Sequence, residues 1–167
     1  MPRILSLMLF SLLLAGPATT PASPELPGGD TEALADVSDG RLLWDVSESD
    51  AMRLSNWLTV MLDTYEGLKR LDVRPHMVLV FRGEAVRLLA RDLEEVPFEA
   101  MGMIQEVHGK LDRLRQLPRV RLEACNLALR RQGMADQPLI PGAKKVTNAF
   151  IAMAGYGAKG YTRIPVD

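Results

Sequence analysis

The sequence has few of the residues on which several common functions depend. It contains one cysteine and two histidines among 167 residues. An internal disulfide is therefore excluded. His108, on or beside an apolar helix stripe, is predicted to be a core or boundary histidine, and His76 is predicted to lie in a surface turn, so we expect no metal site. Lys and Arg (20) balance Asp and Glu (21), and aromatic residues make up 5% of the chain. Because no basic run with interleaved aromatic residues is present, we expect no binding to nucleic acid.

The chain also has no apolar run of the roughly 20 residues that a membrane-spanning helix needs. Its N-terminus has Arg3 followed by an almost wholly apolar stretch from Ile4 to Ala15, and then small residues and prolines. This pattern predicts a removable signal peptide over residues 1–22, and a retained anchor helix is the less favoured reading. We therefore expect a periplasmic or secreted protein that does not stay at the membrane. Residues 23–39 are rich in Pro, Gly and acidic residues, which predicts a flexible lead-in.

Residues 40–167 are predicted to form one α/β domain, because short apolar runs alternate with amphipathic segments. The runs over 41–46, 77–81, 120–125, 143–146 and 161–166 are typical of buried or edge strands. Helices are predicted between Ser47 and the turn at 72–75, and over 84–92, 97–118, 126–132 and 148–160. Ser47 is expected to cap the first helix, with Asp50 completing its capping box. Gly133 is expected to end the fourth helix and Asn148 to cap the fifth. This alternation predicts a three-layer α/β/α sandwich with a mostly parallel sheet of about five strands.

In such a sheet, ligands bind beyond the carboxyl ends of the strands. Polar and small residues of this chain fall at those ends, and we expect them to share one crevice. The candidate site residues are Ser47, Arg82, Gly83, Cys125, Asn126, Arg130, Thr147 and Asn148.

Cys125 is the best candidate for chemistry in this crevice. As a lone cysteine it could be buried and inert, paired between chains, or kept free for reaction. Its position where a strand gives way to a helix favours the thiolate, because unpaired N–H groups and the positive end of the helix dipole lie nearby.

The order of these segments resembles the DsrE/DsrF-like proteins, which have the YchN-like fold. The resemblance covers Leu42 to the C-terminus and is carried by "FRGEAVRLL", "VRLEACNLALRRQGM", "LIPGAKKV" and "KGYTRI". It implies a homo-oligomer, commonly a trimer or hexamer, related to proteins that handle sulfur. It also implies that Cys125 accepts a sulfane sulfur as a persulfide and passes it to a small sulfur compound or to a partner thiol.

Two departures from the family pattern motivate an alternative function. Leu127 and Ala128 stand where family members often carry Asn-Thr, and Arg82 stands where a histidine is frequent. A non-catalytic oligomeric binding or assembly module with the same fold is therefore the second hypothesis. We expect no cofactor, since Gly155, Gly157 and Gly160 lie in or after a helix and do not form a phosphate-binding loop before one.

Overall fold

The computed structural model describes residues 30–93 and 97–167. The chain divides into two units, residues 1–33 and 34–167. The first unit contains one short described helix, α1 (Asp30–Ala33), and the second unit contains every other element. The predicted signal peptide over residues 1–22 lies outside the described residues.

The second unit contains a five-stranded sheet whose neighbouring strands are all parallel. The strands are β1 (Asp39–Val46), β2 (Arg74–Phe81), β3 (Val120–Cys125), β4 (Ala143–Val146) and β5 (Thr162–Val166). They lie in the order β4-β3-β2-β1-β5. The α/β class and the parallel sheet predicted from the sequence are confirmed, and both short strands lie at the edges.

Helices connect the strands and cover both faces of the sheet. They are α2 (Ala51–Arg70), a 3-10 helix (Gly83–Leu89), α3 (Phe98–Gln116), α4 (Asn126–Arg131) and α5 (Ala149–Ala158). The connections from β1 to β4 all step in one direction, whereas the connection from β4 to β5 returns across the sheet. Because parallel crossovers are right-handed, α2, α3 and α4 lie on one face and α5 lies on the other.

The face under α2 and α3 carries the main hydrophobic core. Alternate residues of the central strands point to it, and none of these is more than 3% exposed: Trp44, Val46, Met77, Leu79, Phe81, Leu122 and Ala124. The apolar side of α2 packs on them through Leu54, Leu58 and Met61. Burial of this apolar surface is the main favourable contribution to folding.

Two predictions about the helices were wrong. The first concerns Ser47, which does not cap α2. The N-cap is Asp50, whose carboxylate accepts the Arg53 N–H at 2.8 Å. Ser47 instead bonds to the last strand, since its backbone N–H donates to the Val166 carbonyl of β5 at 2.8 Å.

The second concerns the predicted helix over 84–92, which is a 3-10 helix over Gly83–Leu89. Its buried residues lie three apart, Ala85 with Leu88 and Val86 with Leu89, which suits three residues per turn. Ala90 then forms an antiparallel bridge with Leu139, so the helix ends there.

Other local signals were correct. Gly133 follows the end of α4 with a φ of 72°, the left-handed conformation that glycine adopts at helix C-termini. Asn148 caps α5, since its side chain accepts the Phe150 N–H at 2.9 Å. Within the described ranges, the structure has no helix whose length and apolar content would suit a membrane span.

Candidate functional site

Cys125 lies at the junction of β3 and α4, at the carboxyl end of the sheet. It is the last residue of the strand and the N-cap of the helix. Its Sγ atom accepts a hydrogen bond from the backbone N–H of Ala149, the first residue of α5, at 3.4 Å. The thiol therefore lies close to the N-terminal ends of two helices. N–H donors and positive dipole ends at such positions stabilise a thiolate.

The side chain of Cys125 is largely buried, with 5% of the residue exposed. Two surface cavities of the domain lie elsewhere. One is lined by residues that include Arg87, Gln132 and Met134, and the other by residues that include His108 and Pro141. Neither is lined by Cys125.

Arg82 lies at the same edge, but its guanidinium is bonded to Asp45. The Arg82 Nε atom lies 2.6 Å from Oδ1 of Asp45, and its Nη2 atom lies 3.2 Å from Oδ2. Arg163 of β5 bonds the same carboxylate through Nε at 2.8 Å. The Arg82 guanidinium also lies 6.0 Å from the ring centre of Phe150, at the start of α5. Arg82 is thus close to the N-terminus of α5, and it shares the Asp45 carboxylate with Arg163.

Asp45 was not identified from the sequence, where it is a single acid within an apolar run. It is fully buried on the α5 side of the sheet. Burial alone would raise the pKa of Asp45, but the hydrogen bonds from Arg82 and Arg163 outweigh this and lower it. The carboxylate is therefore ionised at neutral pH and links β1 to β5 and to the end of β2.

Three of the predicted crevice residues help to shape the strand ends. The Ser47 hydroxyl lies 3.5 Å from the Val166 carbonyl oxygen. Gly83 begins the 3-10 helix with a φ of 59°, which a residue with a side chain rarely adopts. Asn126 is half-buried as the first residue of α4, directly after the cysteine.

The remaining predicted residues lie around the start of α5 and along α4. Asn148 caps α5 and precedes the Ala149 N–H that bonds Cys125. Thr147 is exposed one residue earlier, and Arg130 is exposed in the last turn of α4. The structure therefore brings Cys125, Asn126 and Asn148 together, whereas Arg130 lies more than a turn beyond the cysteine.

A second polar pair that was missed from the sequence lies beneath the cysteine. The Tyr156 hydroxyl of α5 donates to Oε1 of Glu123 at 2.5 Å. Glu123 is 8% exposed and belongs to β3, two residues before Cys125. Burial, and then the bond to Glu123, raise the pKa of Tyr156, so the hydroxyl stays protonated at neutral pH. An acid at one strand position and a tyrosine 33 residues later gave no local signal of this contact.

His108 has the structural role predicted for it. Its Nε2 atom lies 3.0 Å from the Leu88 carbonyl oxygen. Burial lowers the pKa of His108, and the bond to Leu88 offsets part of this effect. His76, predicted to lie in a surface turn, is instead part of β2 and lies 3.1 Å from a carboxylate oxygen of Asp39. Residues 30–93 and 97–167 contain no group of three side chains suited to a metal ion.

The strand order and the helices on both faces define a three-layer α/β domain with a parallel sheet. The domain is similar to two solved structures of that class. One is a protein of unknown function, MTH1491 from Methanobacterium thermoautotrophicum, at 22% identity and a TM-score of 0.56, covering 76% of this chain and 99% of that one. The other is the YchN protein from E. coli, at 18% identity and a TM-score of 0.56, covering 75% of this chain and 98% of that one.

The chain therefore has the YchN-like fold, as the resemblance found in the sequence implied. No family model matches it, and no curated protein does.

Proposed function

We propose that this domain is a sulfur carrier in which Cys125 holds a sulfane sulfur as a persulfide. The observation that carries the proposal is the hydrogen bond from the Ala149 N–H to Sγ, at the point where α4 and α5 both begin. A donor aimed at Sγ stabilises the thiolate, which is the nucleophile in the first step. In the persulfide the negative charge lies on the outer sulfur, one S–S bond beyond Sγ.

The chemistry requires only a nucleophilic thiolate and two partners that are not part of the chain. The thiolate attacks the outer sulfur of a sulfane donor such as thiosulfate. A new S–S bond forms, the S–S bond of the donor breaks, and sulfite leaves with the electron pair. An acceptor thiolate then attacks the outer sulfur of the persulfide and releases Cys125 as the thiolate, so no further oxidant or reductant is consumed.

Intact-mass measurement of the purified full chain after incubation with thiosulfate or polysulfide tests this proposal. We expect wild type to gain the mass of one sulfur atom and to lose it on treatment with dithiothreitol. Cys125→Ser is the matched control and gains nothing. If wild type takes up no sulfur although iodoacetamide alkylates Cys125 in the folded protein, the carrier function is wrong.

The second candidate is the non-catalytic assembly module, which the burial of Cys125 to 5% exposure favours. In that case Sγ is a packing group of the α5 N-terminus. Alkylation would then proceed only as fast as the domain unfolds, and it would speed up in urea in parallel with unfolding. Fast alkylation in buffer contradicts this candidate.

For either function, we propose that the protein is exported and assembles with copies of itself. Arg3 and the apolar stretch that follows it support export. Self-assembly is supported by α5, which is the one helix over its face of the sheet among the described residues and which exposes Phe150 and Ile151. Parallel sheets are commonly covered on both faces, so a second copy placed on α5 would complete the layer.

A further inference from the structure

Helix α5 is held on the sheet by few side chains. Of its ten residues only Ala149 is buried, while Phe150 and Ile151 are 64% and 68% exposed. Gly155 and Gly157 also reduce its intrinsic helix stability, because glycine is among the poorest helix formers. The position of α5 therefore depends strongly on individual polar contacts.

Two of these polar contacts join α5 to the same strand. At the start of the helix, the Ala149 N–H donates to Cys125 Sγ at 3.4 Å. Two turns later, the Tyr156 hydroxyl donates to Glu123 at 2.5 Å. Glu123 and Cys125 lie two apart on β3 and so face the same side of the sheet. The helix thus runs antiparallel to β3 and is hydrogen-bonded to it at Ala149 and at Tyr156.

The environment of Glu123 indicates more than a packing role. Its Oε2 atom is buried without a hydrogen-bond partner in the described part of the chain. A half-satisfied buried carboxylate is costly, and such costs are typical of functional sites. Arg121 lies two residues before Glu123 on the same face of β3, and hydrogen bonding to Tyr156 raises the pKa of Arg121.

We propose that Glu123 and Tyr156 are positioning residues for Cys125. Their hydrogen bond holds α5 so that the Ala149 N–H points at Sγ and stabilises the thiolate. The inference rests on the proposed role of Cys125 as a nucleophile, and it deepens that role by identifying what orients the donor. Neither residue touches the sulfur, and both act through the helix.

The test is the rate of iodoacetamide alkylation of Cys125 across the pH range, measured on the full chain. Tyr156→Phe removes the hydroxyl and keeps the ring. We expect the midpoint of the pH–rate profile to move upward by about one pH unit, because part of a charge-assisted hydrogen bond is lost.

Three further variants separate positioning from charge. Tyr161→Phe removes a hydroxyl from the neighbouring ring, 5.1 Å from that of Tyr156, and should leave the midpoint unchanged. Glu123→Gln keeps an acceptor for the Tyr156 hydroxyl, so its midpoint should stay near or below that of wild type. In the double variant Tyr156→Phe with Glu123→Gln the upward shift should persist. If the shift disappears in the double variant, an unpaired Glu123 charge caused it and the positioning role is wrong.

Ala149→Pro keeps the test decisive if Tyr156→Phe does not fold. Proline is tolerated at the first position of a helix, and it removes the N–H that bonds Sγ. We expect it to move the midpoint upward at least as far as Tyr156→Phe. An unchanged midpoint in either folded variant overturns this inference even if wild type carries sulfur. A shifted midpoint together with no sulfur uptake overturns the carrier function alone.

Discussion

The two faces of the sheet are built from the same strands but differ in what lies on them. The face under α2 and α3 is apolar along the three central strands, with Leu79 and Phe81 fully buried. The face under α5 mixes apolar residues such as Val80 with buried charged ones, and Asp45 and Glu123 both lie on it. One face is therefore held by packing of hydrophobic side chains, and the other largely by polar contacts.

The difference shows where the fold can support chemistry. Hydrophobic packing is non-directional and insensitive to pH, so the α2–α3 side stabilises the domain whatever happens at the site. Hydrogen bonds and ion pairs are directional and fix one side chain relative to another. The candidate site lies on the face with directional contacts, at the edge where Cys125, Arg82 and the start of α5 meet.

The largest expected effect comes from opening a cavity on the apolar face. Leu79→Ala should lower the free energy of unfolding by about 2–5 kcal/mol, because Leu79 is fully buried in the central strand. Urea denaturation at neutral pH measures it. Val60→Ala, on the exposed side of α2, is the matched control and should change stability by about 0.5 kcal/mol or less. Similar losses in both variants would show that Leu79 is not part of a tightly packed core.

Loss of the ion pairs on the α5 face should have a smaller effect on stability. Asp45→Asn should lower the free energy of unfolding by about 2 kcal/mol at neutral pH. The cost stays below that of a fully buried pair because the side chains of Arg82 and Arg163 are 27% and 57% exposed and retain contact with solvent.

The pH dependence of this effect follows from the lowered pKa of Asp45. The folded state holds the carboxylate ionised below its ordinary value of 3.8. Its stabilising contribution is therefore complete above that value and is lost as the pH falls through the folded pKa. Unfolding of wild type and Asp45→Asn in urea at neutral pH and near pH 3 measures the difference. A gap that stays constant at both pH values would contradict the ion-pair explanation.

The same contrast explains which features the sequence predicted. Strand β4, the caps at Asn148 and Gly133, and the junction at Cys125 were predicted from neighbouring residues, because the signals for strands and helix ends are local. These local signals place the candidate nucleophile at the correct edge of the sheet.

The contacts that surround the nucleophile could not be predicted in this way. Asp45 meets residues 37 and 118 positions further along the chain, and Glu123 meets a residue 33 positions away. The predicted capping role of Ser47 was wrong for a related reason, since its backbone N–H donates to the carbonyl of Val166 in the last strand. Such pairings depend on strand order, which hydrophobic periodicity does not report.

Substitutions on the outer side of α5 should have the smallest effect on the stability of a single chain. They should have the largest effect on assembly. Phe150→Ser with Ile151→Ser removes two exposed apolar side chains and should change the free energy of unfolding of the isolated chain by about 0.5 kcal/mol or less. If α5 is the contact between copies, the variant should run as a smaller species than wild type in size-exclusion chromatography with light scattering. Phe98→Ser is the matched control, because Phe98 is 84% exposed at the start of α3 on the apolar side of the sheet. An assembly that is lost in the control and kept in the α5 variant would place the contact on the α3 side. The face under α5 would then be free for a different partner.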